Sequence, residues 1–191
     1  MSVKRDSMSL SNILLFTDLD GTLLNKKTFE FKAALNLIKN CMSKGINIIP
    51  NSSKTDLELN EICEDLKIPK VYISENGSCI YGLNLLSENL NEKICLSRNK
   101  DIIFKNFTDK IKVNLQKKCL ILENETLQNQ IEVLGLPKTK ISKAMNRKFS
   151  IPFIFLGNKE EEVELKKNVK RNGLNVQFGG RVLSLGDEVS K

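Results

Sequence analysis

Two carboxylates set two residues apart, Asp18 and Asp20, follow the apolar run Ile13-Leu14-Leu15-Phe16-Thr17 and precede Gly21 and Thr22. If that run is a strand ending in a turn, both carboxylates can point into one crevice, where a shared cation relieves their mutual repulsion. Mg²⁺ suits the position, because it is a hard ion that takes one or two carboxylates and completes its shell with phosphate oxygens and water. Facing a phosphoryl group, one carboxylate can attack phosphorus to form an aspartyl-phosphate. The other can protonate the leaving oxygen and later deprotonate a water. Gly21 permits the tight turn such a layout needs. Asp and Gly are favoured in turns generally, so the same five residues also fit a plain Asp-rich turn.

The flanking sequence offers a frame to hold such a pair. Residues 13–17 suit a short buried parallel strand. Ala34, Leu37, Ile38, Cys41 and Met42 recur at the spacing of one helical face, and Gly45 stands where a C-terminal cap is expected. Residues 46–50 read as a second strand. Thr55 and Glu58 then form a capping-box pattern, which opens a helix with Leu59, Ile62, Cys63 and Leu66 on its buried face. Residues 71–74 read as a third strand. Alternating strands and helices over about 60 residues predict an α/β fold with a doubly wound parallel sheet. Ligands of such sheets bind beyond the carboxyl ends of the strands. Here those ends carry Asp18, Asn51 with Ser52, and Ser74 with Glu75.

Past Tyr81 the texture changes to Asn- and Lys-rich sequence. Helical stretches are predicted at residues 104–115 and 159–171, and strands at 152–156 and 174–178, which together read as a separate α+β unit. The charge runs at 159–164 and 166–171 read as a solvated helix face. Residues 1–12 are polar, Ser-rich and aperiodic, as in a frayed terminus.

Composition narrows the chemistry further. The 191 residues include no histidine, which excludes mechanisms that need an imidazole base, ligand or phospho-carrier. Five cysteines, Cys41, Cys63, Cys79, Cys95 and Cys119, form no C-x-x-C pair and read as reduced core thiols. No apolar run approaches the ~20 residues of a membrane span or the core of a signal peptide, so a cytoplasmic protein without a membrane partner is expected. The net charge of +7 is concentrated in the second half, where residues 101–191 carry 17 basic and 11 acidic side chains. A basic surface attracts anions of any kind. With 6% aromatics and no Arg-rich or aromatic-interleaved patch, phosphorylated small molecules are a better match than nucleic acid.

The segment 16–24, FTDLDGTLL, resembles the first motif of the haloacid dehalogenase superfamily throughout. The resemblance implies that Asp18 is the nucleophile, that Asp20 is the general acid/base, and that both hold Mg²⁺. It also implies that Ser52, after the second strand, donates to the substrate phosphate, with Ser53 able to do the same. Asn51-Ser52-Ser53-Lys54-Thr55, with Ser74-Glu75-Asn76-Gly77-Ser78, is similar to the SSKT and ENG signatures of mannosyl-3-phosphoglycerate phosphatases in the Cof-type branch. Lys54, Glu75 and Asn76 thereby join the expected phosphate and substrate contacts. That branch carries an α+β cap inserted after the third strand. Ala144, Arg147, Phe149-Ser150 and Pro152-Phe153 resemble the family's Arg-x-Phe-Ser-x-Pro-Phe segment, and Gly179-Gly180-Arg181 its Gly-Gly-Arg turn. Arg147 and Arg181 are therefore candidate substrate anchors, since a guanidinium pairs bidentately with carboxylate or phosphate. On a helix, Lys140, Lys143 and Arg147 would share one face. Ile151 departs from the pattern, which has Glu there.

The implied fold is a Rossmannoid, haloacid dehalogenase-like α/β core at residues 13–83, preceded by a disordered 1–12. An inserted cap follows at 84–183, and a return to the core begins at 184–191. The family's core then continues with a lysine, a helix, a strand and a Gly-Asp-x-x-x-Asp segment whose aspartate completes the Mg²⁺ site. Leu185-Gly186-Asp187-Glu188 follows Arg181 too closely to be that segment, and Lys191 stands near the third-motif lysine. The core is therefore expected to be C-terminally incomplete, leaving a sheet edge open to a second copy or a complementing chain. The resemblance implies a Mg²⁺-dependent phosphatase of mannosyl- or glucosyl-3-phosphoglycerate. Two alternatives stand beside it: a truncated, weakly active or inactive sugar-phosphate-binding relative, and a sucrose-phosphate or broad-range sugar phosphatase of the same branch.

Overall fold

The computed structural model describes residues 13–25, 31–32, 34–179 and 181–189. The expected frayed terminus at 1–12, Gly180 and Lys191 lie outside the described residues.

Strand β1 (Leu14–Thr17) pairs in parallel with β2 (Asn47–Pro50), with Phe16 opposite Ile49. Helix α1 (Leu35–Ser43) makes the crossover, and Gly45 at φ 77° bonds its N–H back to Met42 O at 2.9 Å. Helix α2 (Asp56–Leu66) starts with the expected box: Thr55 accepts from the Glu58 amide while the Glu58 side chain takes the Thr55 amide. Strand β3 (Tyr72–Ser74) joins β2 through a parallel bridge between Asn51 and Ile73. The predicted parallel order is therefore present. The predicted burial of β1 is not, since Leu14, Leu15 and Phe16 are 42%, 43% and 56% exposed. Among the described residues β1 pairs only with β2, so one edge and much of its surface stay uncovered. The core's apolar cluster lies instead among Leu19, Ile38, Ile48, Leu59, Cys63 and Tyr72.

Strands β4 (Cys79–Tyr81) and β5 (Lys93–Cys95) continue from β3 as an antiparallel ribbon. Their register sets Cys79 opposite Cys95, and the two form a disulfide with Cα atoms 4.0 Å apart. This corrects the reading of five reduced thiols: residues 16 apart in sequence become neighbours through pairing that no local spacing reveals. Cys41, Cys63 and Cys119 are free thiols, and burial pushes Cys63 and Cys119 each up to about 12.

The second unit begins with α3 (Lys100–Lys110) and α4 (Val113–Gln116). It continues through β6 (Cys119–Ile121), α5 (Leu127–Leu134) and α6 (Lys138–Met145) to β7 (Ser150–Phe155). It ends with α7 (Lys159–Arg171), β8 (Leu174–Phe178) and β9 (Leu183–Asp187). Its sheet runs β6-β7-β9-β8, entirely antiparallel. One apolar cluster fills it, with Ile103, Phe107, Leu115, Phe153, Leu165 and Val169 all at 4% exposure or less. Helix α7 shows why its charge runs are tolerated. Glu160, Glu161 and Glu162 sit in its first turn and Lys170 with Arg171 in its last, each sign matched to the helix dipole, while Leu165 and Val169 face inward.

Strand β5 hydrogen-bonds to β4 in the ribbon that begins at β3. Strand β9 lies between β7 and β8, with Leu183 and Leu185 alternating into the apolar cluster of that sheet.

Candidate functional site

Three turns at the carboxyl ends of β1, β2 and β3 build the floor of a cleft. In the first, Leu19 is fully buried and pins the turn, with its carbonyl accepting from Thr22 N at 3.1 Å and Leu24 N at 2.8 Å. Gly21 at φ 87° closes it, its N–H donating to Leu24 O at 2.8 Å. Asp18 and Asp20 flank the buried leucine, which is the alternation that turns both away from the core. In the second turn, Ser52 is 1% exposed, its amide donates to Ile73 O at 3.0 Å, and its Oγ accepts from Lys54 N at 3.3 Å. The third turn runs from Ser74 to Ser78, with Glu75 at φ 45°, Asn76 at 61° and Gly77 at 95°. Backbone bonds lock it to the second turn: Glu75 N to Lys54 O and Asn76 N to Ser52 O, both 3.0 Å.

A cleft of about 520 Å³ opens between these turns and the cap. From the core, Asp20, Ser53, Lys54 and Asn76 line it; from the cap, Arg147 and Arg181. Lys54 Nζ lies 3.0 Å from Asp20 Oδ1, and its side chain is only 13% exposed. A cation that well shielded offsets the Asp20 charge at the cleft floor.

The structure thus brings six of the expected site residues onto one surface. Asp18, in the same turn as Asp20, is half-buried and does not line the cleft. Ser52 lies beneath, with its hydroxyl engaged by its own loop. Glu75 takes a different place: its carboxylate is turned to the cap and does not line the cleft. The shared helical face of Lys140, Lys143 and Arg147 does not form, because α6 ends at Met145 and Arg147 stands in the following loop. There it donates to Ser53 O at 3.1 Å and to Ser150 Oγ at 3.0 Å. Arg181 donates to Leu134 O, and Gly135 is the residue that lets it approach, since any Cβ there would collide with the guanidinium.

Asp187, in the segment read as too early to be a metal motif, is engaged elsewhere. Arg98 holds it through Nε at 2.8 Å, through its amide at 2.6 Å and through Nη2. Burial pushes the Asp187 carboxyl up, but these hydrogen bonds, the charge of Arg98 and one from Ser97 outweigh it and hold the pKa below the usual value. Ile151 is buried in the cap cluster, so the departure from the family's glutamate is a packing position; its neighbours Ser150 and Pro152 face the other way.

Several lining residues carried no signal in the sequence. Leu134, Leu136, Met145 and Val182 make the apolar part of the cap wall, and Ser184 adds a buried hydroxyl. They come from α5, the loop after it, α6, and β9 with the residue before it, which meet only after the cap folds.

A family model described as haloacid dehalogenase-like hydrolase matches residues 15–183. This chain belongs to the haloacid dehalogenase-like hydrolase family. It is 29% identical over 180 residues to a glucosyl-3-phosphoglycerate/mannosyl-3-phosphoglycerate phosphatase of Persephonella marina, covering 91% of this chain and 66% of that protein. It is also 38% identical over 68 residues to a mannosyl-3-phosphoglycerate phosphatase of Pyrococcus furiosus, covering 36% and 27%. Among solved structures, a superfamily phosphatase from Bacteroides thetaiotaomicron superposes with a TM-score of 0.64 at 16% identity, over 100% of this chain and 71% of that one. The chain thus spans about two thirds of the length of its long-matching relatives, or less. The haloacid dehalogenase-like fold is shared. No helix among the described residues is long and apolar enough to cross a membrane.

Proposed function

We propose that this family member hydrolyses a phosphomonoester of the mannosyl- or glucosyl-3-phosphoglycerate type, in the cytoplasm. The observation that carries the reading is the convergence of the Asp18–Asp20 turn, the shielded Lys54 and two cap arginines on one cleft. The similarity to the Persephonella marina phosphatase over 91% of the chain supports it. In this reading an Asp18 carboxylate oxygen attacks phosphorus, and the bond to the leaving oxygen breaks as Asp20 gives that oxygen its proton. Asp20 then takes a proton from water, whose oxygen attacks the aspartyl-phosphate and regenerates Asp18 with release of inorganic phosphate. Lys54, Asn76 and the Ser52–Ser53 loop hold the phosphoryl oxygens, and Arg147 and Arg181 take the carboxylate or hydroxyls of the remainder.

The donor set fits Mg²⁺: two carboxylates, Asp18 and Asp20, hard and oxygen-only. Among the described residues no group of three or more His, Cys, Asp or Glu gathers to hold a metal. When bound, the ion would offset the charge that builds on the phosphoryl oxygens.

The cap wall favours one second reading. Leu134, Leu136, Met145 and Val182 offer no hydrogen bonds to sugar hydroxyls, as expected for a sugar phosphatase of broad range. The exposed edge of β1 and an apolar groove of about 830 Å³ beside it, lined by Phe16, Leu37 and Ile48, support docking of a second copy or a complementing segment.

Phosphate release from mannosyl-3-phosphoglycerate and a panel of sugar phosphates, with Mg²⁺ and with chelator, tests the function. Mg²⁺-dependent release with a strong preference for the glycosyl-phosphoglycerates supports the first reading. Even rates across the panel favour the second, and release from none of them refutes both.

A further inference from the structure

Glu75 is a carboxylate in an unusual setting. It is 2% exposed, and it sits with Asn76 in the left-handed backbone region, which is unfavourable for non-glycine residues. That conformation separates the two side chains, sending Asn76 to the cleft and Glu75 to the cap. There three donors from one cap segment converge on it. Lys148 N donates to Oε1 at 2.9 Å, and Phe149 N and Ser150 Oγ donate to Oε2 at 3.1 and 2.6 Å. The network continues to the cleft. Ser150 Oγ accepts from Arg147 Nη1 at 3.0 Å, and the same nitrogen donates to Ser53 O at 3.1 Å, in the loop that Glu75 N itself touches through Lys54 O. Core turn, cap strand and arginine thus form one closed ring of bonds.

We propose that Glu75 is a positioning residue: its carboxylate seats the Lys148–Ser150 segment of the cap on the core and so holds the Arg147 guanidinium over the cleft. This rests on the cleft being the phosphomonoester site and adds what fixes its cap-side anchor. A carboxylate is required because it accepts at both oxygens, whereas an amide of the same shape presents an N–H to at least one of the three donors. A buried carboxylate left without such donors would be unfavourable, so anchor and anchored segment depend on each other.

The decisive variant is Glu75→Gln, read in two ways. Amide hydrogen exchange at Lys148 and Phe149 should rise about tenfold while α2 amides keep their protection, as local loosening of the cap requires. For hydrolysis of mannosyl-3-phosphoglycerate, KM should rise about tenfold with kcat changed by less than about threefold, the pattern of lost binding rather than lost chemistry. Unchanged exchange at both amides overturns the proposal, as does faster exchange with an unchanged KM. If the unaltered chain hydrolyses nothing, the phosphatase reading fails separately. The positioning role is then decided by exchange together with phenylglyoxal labelling of Arg147, which should accelerate in Glu75→Gln; an unchanged labelling rate overturns it. Should Glu75→Gln not fold, Ser150→Ala removes only the relay to Arg147. It should speed that labelling without altering α2 protection, and equal labelling again overturns the proposal.

Discussion

The two halves of the molecule are supported very differently. The cap carries a four-stranded sheet with helices α3 and α7 packed on it and a continuous apolar cluster whose central residues have almost no contact with solvent. The core carries the turns of the candidate site on strands of three or four residues, and Leu14, Leu15 and Phe16 of its first strand are about half exposed. The turns at residues 52–54 and 75–76 are tied to each other by backbone hydrogen bonds rather than by a surrounding apolar cluster.

The largest expected effect lies on the core side. Asp18→Asn should lower turnover of any substrate by more than about ten-thousandfold, on the order of 5.5 kcal/mol in barrier, with KM little changed. Residual turnover near the original rate would remove Asp18 as nucleophile. On the cap side the corresponding cost is in stability. Phe153→Ala should destabilise by about 3–5 kcal/mol in denaturant titration, because Phe153 is 1% exposed at the centre of its cluster.

The tie between Arg98 and Asp187 should be worth about 2 kcal/mol at neutral pH, discounted because Arg98 stays partly in water. Because the folded pKa of Asp187 is depressed, its contribution is present above the unfolded value of about 3.9 and is lost as pH falls through the folded one. The melting temperature of Asp187→Asn should therefore trail the unaltered protein at pH 7, and the gap should begin to narrow only below about pH 4, as pH falls toward the folded pKa. A gap that stays constant down to pH 3 would contradict this.

Arg147→Ala should raise KM about tenfold, near 1.4 kcal/mol, while affecting kcat less. Equal losses in KM and kcat would move Arg147 from recognition to chemistry and blur the contrast. The smallest effect belongs to Phe16→Ala, expected below about 1 kcal/mol because the ring is 56% exposed. A cost like that of Phe153→Ala would mean that β1 is covered in solution, and the contrast between halves would vanish.

What could be read from the chain follows the range of the forces involved. The Asp18–Gly21 turn, the Thr55–Glu58 box and the span of α7 were legible because each depends on residues within one or two turns of chain. The cross-strand pairing of Cys79 with Cys95 was not, since it depends on register between β4 and β5. Nor was the end of α6 before Arg147, where Asn146 leaves helical geometry and breaks the expected basic face. Glu75 is the most instructive miss. Its place in a signature suggested ligand contact, while its left-handed backbone, invisible in composition, turns it to the cap. The exposure of β1 was hidden for the opposite reason, because an apolar run reports what a strand is suited to and not what covers it.

The Arg98–Asp187 pair joins a residue just before α3 to the last residue of β9. The segment between them, with its own apolar cluster, is thereby stapled end to end, so loosening that one pair frees both ends of the unit at once.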